Sequence, residues 1–135
     1  MNEARRKGLE IFAEVYGEDM AREMEAAMDG PKGFGMEQMR WTLEWAFGEV
    51  WARDGLERKM RSCAVLGMLI ARGNLEEIKF HTRMGLANGL TKTEIEEIFY
   101  TAIPYAGFPA AASAKSAILE GFAIADKAAQ GASGA

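Results

Sequence analysis

Residues 73–98 read GNLEEIKFHTRMGLANGLTKTEIEEI, and the punctuation of this stretch decides the fold. Gly73 and Gly89 stand where a left-handed residue stops a helix. Asn74 with Glu77, and Thr91 with Glu94, each place a capping residue three positions before a glutamate. Between these marks the apolar residues recur at helical rather than alternating spacing. The stretch therefore predicts one helix over about Leu75–Asn88 and a second over about Lys92–Tyr105.

The same reading extends in both directions. Asp54 with Glu57 repeats the capping pattern and predicts a helix over about Leu56–Arg72. Further back, helices are expected over about Glu3–Tyr16 and Glu18–Met28. The break GPKGFG at 30–35 precedes a third helix over about Met36–Trp51. Toward the C-terminus YAGFP, 105–109, interrupts the chain, and Pro109 is well placed to open a last helix. That helix is rich in small residues (Ala110, Ala111, Ala112, Ala114, Ala117, Gly121), which permit close approach of a neighbour. The terminal GASGA, 131–135, is expected to fray. No alternating run bounded by hairpin turns is found, so the fold class is all-α. Short connections imply an antiparallel bundle of about six to seven helices, in a single domain spanning 1–135.

Composition narrows the function classes. The chain has 135 residues and a formal charge of −4, which argues against nucleic acid as a partner, since phosphate binding needs a basic surface. The single cysteine, Cys63, excludes an intramolecular disulfide, and one histidine with one cysteine cannot make a usual zinc site. GPKGFG lacks the lysine and hydroxyl residue of a phosphate loop and follows no strand. The longest apolar run, CAVLGMLIA at 63–71, is far below the roughly 20 residues that span a bilayer. No apolar signal core follows Arg5, Arg6 and Lys7. A cytoplasmic protein without membrane or nucleic-acid partners is the expectation. Trp41, Trp45 and Trp51 on one helix, with nine methionines, suggest apolar surface that self-association would cover.

Polar residues near apolar faces are the informative ones. On the Leu75–Asn88 helix, Leu75, Ile78, Thr82, Gly85 and Leu86 form the core stripe and Glu76, Lys79 and Arg83 the outer face. Glu77, His81, Met84 and Asn88 lie on a flank between them. Glu77 and His81 are one turn apart, so a hydrogen bond between them would hold the imidazole's tautomer and raise its pKa. The plainer alternatives are a capping role for Glu77 and a structural role for a lone histidine. On the Met36–Trp51 helix, Met39, Leu43, Ala46, Phe47 and Val50 form the apolar stripe. Glu44 sits at its edge, where desolvation among aromatic rings would make it a proton donor, unless it leans into solvent. Arg53, Arg58, Lys59 and Arg61 gather around the start of the next helix, against its macrodipole. An anion bound there would offset the conflict; a solvated charged face is the alternative.

Three segments carry a resemblance to a known family. GEVWARDGLERKMRS at 48–62, HTRMGLANGLTKTEIEEI at 81–98 and AIPYAGFPAA at 102–111 resemble gamma-carboxymuconolactone decarboxylase, within the AhpD-like superfamily. The peroxidases of that superfamily use a Cys-x-x-Cys pair ahead of a histidine. Here Asn74 and Glu77 stand seven and four positions before His81, so thiol peroxidase chemistry is not expected. Glu44, Trp51, Arg53, Arg58, Arg61, Glu77 and His81 match the decarboxylase pattern. Pro104 and Ala106 depart from it and put pocket shape, hence substrate, in question.

The resemblance implies a cofactor-free, metal-free decarboxylation of 4-carboxymuconolactone to the beta-ketoadipate enol-lactone in aromatic degradation. Loss of carbon dioxide sends electrons through the ring double bond into the lactone carbonyl, so the substrate supplies its own electron sink. The protein then needs to bind anions, stabilise an enolate and deliver a proton. On that reading His81 is catalytic, Glu77 orients it, and Glu44 is a second acid. Arg53, Arg58 and Arg61, with Trp51 and Tyr105, hold a small anionic lactone or enol. The family also implies a homo-oligomer, a trimer or a hexamer built as a trimer of dimers. Two other readings stand beside it: the same fold acting on a different lactone, enol or ketone, and a non-catalytic oligomer that binds a small acid.

Overall fold

A computed structural model describes residues 1–133 of the chain. Seven α-helices and one π-helix build it, with no strand among the described residues, as the all-α reading expects. They fall into two compact units, Met1–Glu57 and the segment from Arg58 onward.

In the first unit, α1 (Glu3–Tyr16) is capped by Asn2, whose side chain accepts from the Arg5 N–H at 2.7 Å. Gly17, at φ 97°, turns the chain into α2 (Glu18–Asp29). The expected third helix is two structures in series: α3 (Met36–Trp41), then a π-helix, π1 (Thr42–Trp51). The Ala52 N–H donates to the Phe47 carbonyl at 3.1 Å, the i→i−5 bond of a π-helix. This wider turn changes which side chains face inward. Leu43, Phe47, Gly48 and Trp51 are buried, whereas Val50, assigned to the apolar stripe at the α period, is 39% exposed. Phe12 meets Phe47 edge to face, Phe47 stacks on Trp51, and Ile11 and Val15 of α1 are buried as well. The crossing of α1 and π1 is closer than any side chain permits: a β-carbon on Gly8 would strike the Leu43 carbonyl, and one on Gly48 the Ala4 carbonyl.

The second unit consists of α4 (Arg58–Arg72), α5 (Leu75–Ala87), α6 (Lys92–Ala106) and α7 (Phe108–Ser133). Leu66, Ile70, Ile78, Leu90, Ile95, Ala114, Ala117 and Ile118 form its core. Gly73 (φ 70°) and Gly89 (φ 102°) are left-handed as expected. Each closes a helix with paired bonds. Gly73 N–H reaches Ile70 O and Asn74 N–H reaches Leu69 O, both at 3.2 Å; Gly89 N–H reaches Leu86 O at 3.1 Å and Leu90 N–H reaches Gly85 O at 2.9 Å. Thr91 and Glu94 form the full reciprocal capping box, both bonds at 3.0 Å.

The other two capping boxes are not made. Asn74 makes no side-chain cap bond; its Oδ1 accepts from Arg72 Nε at 3.2 Å, because the turn after Gly73 swings that side chain back toward α4. The helix assigned to Asp54 starts only at Arg58. Leu75, assigned to the core stripe, is 44% exposed, while Met84 is fully buried. Gly131 to Ser133 continue α7; the rest of the tail expected to fray, 134–135, lies outside the described residues. No helix among them is long and apolar enough to cross a membrane.

Candidate active site

His81 lies midway along α5, with its side chain 19% exposed and that of Glu77 56% exposed. Imidazole Nε2 and carboxylate Oε2 are 3.9 Å apart, one turn of helix as the spacing required but beyond hydrogen-bond range. The titration differs in sign from the sequence expectation. Burial holds the imidazole below its ordinary 6.5, and the Glu77 charge opposes this only in part. The cause is physical: desolvation disfavours the imidazolium, while a mostly solvated carboxylate at that distance is screened. The resting imidazole is therefore uncharged at neutral pH.

Asn88 sits at the C-terminal cap of α5, seven residues after His81 and on the same flank. Its Nδ2 donates to Ser62 Oγ at 3.0 Å, so that flank faces α4. Ser62 is fully buried. Sequence reasoning passed over it; its one signal was a hydroxyl on the apolar face of α4, four and eight residues ahead of Leu66 and Ile70.

The basic turn forms as expected at the start of α4, with Arg58, Lys59 and Arg61 in its first four positions. Lys59 is committed elsewhere, to Glu94 at 3.0 Å. That contact, together with the Thr91 backbone, holds the Glu94 carboxyl below its usual range, the backbone bond acting first. Arg58 and Arg61 are half-buried. Since Ser62 meets Asn88, the helix rise of 1.5 Å per residue puts His81 about 10 Å along α5 from that contact and Arg58 about 6 Å beyond it on α4. Helical side chains lean toward their own N-terminus, so Arg58 and His81 lean apart.

Glu44, Trp51 and Arg53 belong to the first unit. Glu44 is 16% exposed and accepts from Arg40 Nη1 at 3.0 Å. Arg40 also binds Glu37 through Nη2 at 2.7 Å, and these two carboxylates raise its pKa, Glu37 first. The premise for Glu44 as a proton donor was an isolated carboxylate among aromatic rings; the structure shows half of an ion pair instead. Arg40, four residues before Glu44, was legible from the i, i+4 rule. Trp51 is 8% exposed and stacks on Phe47 with centroids 6.4 Å apart, a core position. Arg53 is exposed and lines an open cleft with Lys7, Glu49 and Asp54.

Tyr105 is 91% exposed at the end of α6 and borders a cavity of about 570 Å³ between α4 and α6. Met60, Cys63, Leu90, Ile98 and Ala106 supply its apolar wall. His81 and Glu77 do not line this cavity, and neither does Pro104.

Comparison with known proteins gives this arrangement its class. The Carboxymuconolactone decarboxylase family profile matches residues 37–120. The chain is 34% identical over 116 residues to 4-carboxymuconolactone decarboxylase of Acinetobacter baylyi, covering 84% of each. It is 35% identical over 103 residues to nitrosuccinic acid decarboxylase npaB of Metarhizium robertsii, covering 76% of this chain and 70% of that one. An uncharacterised 15.0 kDa protein of Paracoccus denitrificans is 33% identical over 101 residues. The protein is thus an all-helical carboxy-lyase. More particularly, the chain belongs to the carboxymuconolactone decarboxylase family, with an AhpD-like helical bundle.

Proposed function

We propose that this protein decarboxylates 4-carboxymuconolactone, without a cofactor, to the enol-lactone of the beta-ketoadipate pathway of aromatic degradation. The likeness to the Acinetobacter enzyme over 84% of both chains carries this reading. The chemistry of the site supports it. The bond between the ring carbon and its carboxylate breaks, carbon dioxide leaves, and the electron pair passes through the ring double bond to the carbonyl oxygen. An uncharged, buried imidazole can donate a hydrogen bond to that oxygen as charge develops, where low dielectric makes the bond strong. The α carbon then takes a proton, relayed by His81 with Glu77 orienting the ring. Arg53, Arg58 and Arg61 are assigned to the substrate's carboxylates. The protein acts in the cytoplasm as a homo-oligomer; the exposure of Trp41, Trp45, Met60 and Phe108 supports the second point, since such side chains favour burial against another copy.

A second reading is favoured by one observation, the similarity to a nitrosuccinic acid decarboxylase. A carboxylated lactone and a nitro dicarboxylic acid share a logic: each holds a leaving carboxylate whose electron pair can pass to an electron-accepting group, through the ring double bond in the lactone and to the nitro group in the acid. Purified protein offered each compound separately decides between them by carbon dioxide release. Turnover of the lactone supports the first reading. Release from nitrosuccinate alone transfers the assignment to the second, and no release from the lactone at high enzyme concentration overturns the first.

A further inference from the structure

We propose that Asn88 is a positioning residue for His81, acting through its hydrogen bond to the buried Ser62. The role of His81 in this inference rests on the function proposed above. Asn88 and His81 lie seven residues apart, two turns of α5, on one flank. Asn88 reaches α4 with a 3.0 Å bond to a hydroxyl that is fully enclosed, so this flank is held shut against α4. The bond joins residues 26 positions apart in sequence, and thus ties the end of α5 to the N-terminal end of α4, at its fifth residue.

That end of α4 needs an external tie. It begins with Arg58, Lys59 and Arg61 and has no acidic residue, so its charges oppose the helix dipole instead of supporting it. Two contacts within this unit bear on it. Lys59 binds Glu94 at the start of α6, and Ser62 accepts from Asn88. The first is exposed and screened; the second is enclosed and directional. Loosening the second frees the end of α5 from α4 on the flank that carries His81, admits water along that flank and relaxes the ring's placement. Catalysis that depends on a misplacement of about 1 Å can lose on the order of a hundredfold.

The chain has a single histidine, so its imidazole proton resonance can be followed by NMR without assignment. Full-length wild type, Asn88→Ala, Ser62→Ala and the double variant are titrated this way and assayed on 4-carboxymuconolactone. Expected are a midpoint for His81 that moves up toward the ordinary 6.5 in each single variant, a kcat lower by about tenfold or more with little change in KM, and a double variant no worse than either single. Ser62→Ala removes one buried oxygen and keeps the test readable if Asn88→Ala does not fold. An unchanged His81 midpoint in a folded single variant overturns the inference, whatever the substrate proves to be. Absence of wild-type turnover counts against the lactone reading alone, and the titration then decides the positioning role by itself. Strictly additive losses in the double variant also overturn it.

Discussion

Replacing Gly121 by alanine adds one methyl group where α7 crosses α5. The new β-carbon would stand 2.6 Å from Thr82 Cβ, 2.7 Å from the Lys79 carbonyl oxygen and 2.9 Å from Thr82 Cγ2. Carbon contacts are comfortable only from about 3.5 Å, so one helix must retreat by roughly 0.7–1 Å. Thr82 cannot rotate away cheaply: it is fully buried, and its hydroxyl donates to the Ile78 carbonyl at 2.7 Å. The carbonyl is backbone and cannot yield without moving α5. Overpacking of this kind costs about 1–3 kcal/mol. With a backbone clash the cost belongs in the upper half, and alanine's helix preference over glycine returns about 1 kcal/mol. The net expectation is a loss of about 1–2 kcal/mol, or a midpoint lower by about 4–8 °C for a domain this size. Gly67→Ala is the matched control. It too lies inside a helix, but its β-carbon would meet nothing within 4 Å, so it should be neutral or stabilising by up to about 1 kcal/mol. Thermal melts of the three proteins at one concentration test the reasoning. Gly121→Ala melting at or above wild type would refute it.

His81 gives a pH prediction with a definite sign. Its pKa is lowered on folding, so the unfolded chain binds more protons below about 6.5. The stability it contributes is complete above that value and is lost as pH falls through the lower folded value. Denaturant titrations from pH 7.5 to 5.5 should show wild type losing stability relative to His81→Gln as the solution is acidified; a relative gain would mean that the folded pKa is raised. Thr91→Ala removes the capping-box bond that Thr91 Oγ1 accepts from the Glu94 N–H, while the bond its own backbone N–H donates to Glu94 can remain; it should lower stability by about 1 kcal/mol, whereas Thr91→Ser should stay close to wild type by the same melt.

Features set by neighbours in sequence were legible, and those set by partners in space were not. Gly73, Gly89 and the Thr91–Glu94 box depend on residues two to five positions apart, and each formed where the sequence put it. The Asn74 box failed although its spacing was equally good, because the bonds that close α4 swing Asn74 toward Arg72. The π-helix was out of reach for a different reason. An apolar stripe counted at the α period assumes the hydrogen-bond ladder it is meant to reveal, so Val50 was placed inside and Trp51 beside Glu44 at the edge. The structure reverses both. A lone close crossing such as Gly8 and Gly48 against α1 and π1 leaves no mark in either segment alone.

The site shows the same division. Spacing found the turn shared by Glu77 and His81, but charge state depends on what surrounds the ring, and here burial outweighs the carboxylate. That reversal bears on the reaction we propose, in which His81 meets the substrate. A histidine kept protonated by its neighbour would hold a ready proton, yet loss of carbon dioxide consumes none; it requires that electrons arriving on oxygen be stabilised. An uncharged imidazole serves that step by hydrogen bonding, as neutral electrophilic histidines do elsewhere. The charge that builds on the substrate then favours the imidazolium, so the ring becomes a better proton carrier as the enolate forms. The need for a proton arises only after carbon dioxide has left, and a buried imidazole with a lowered pKa meets the two demands in that order.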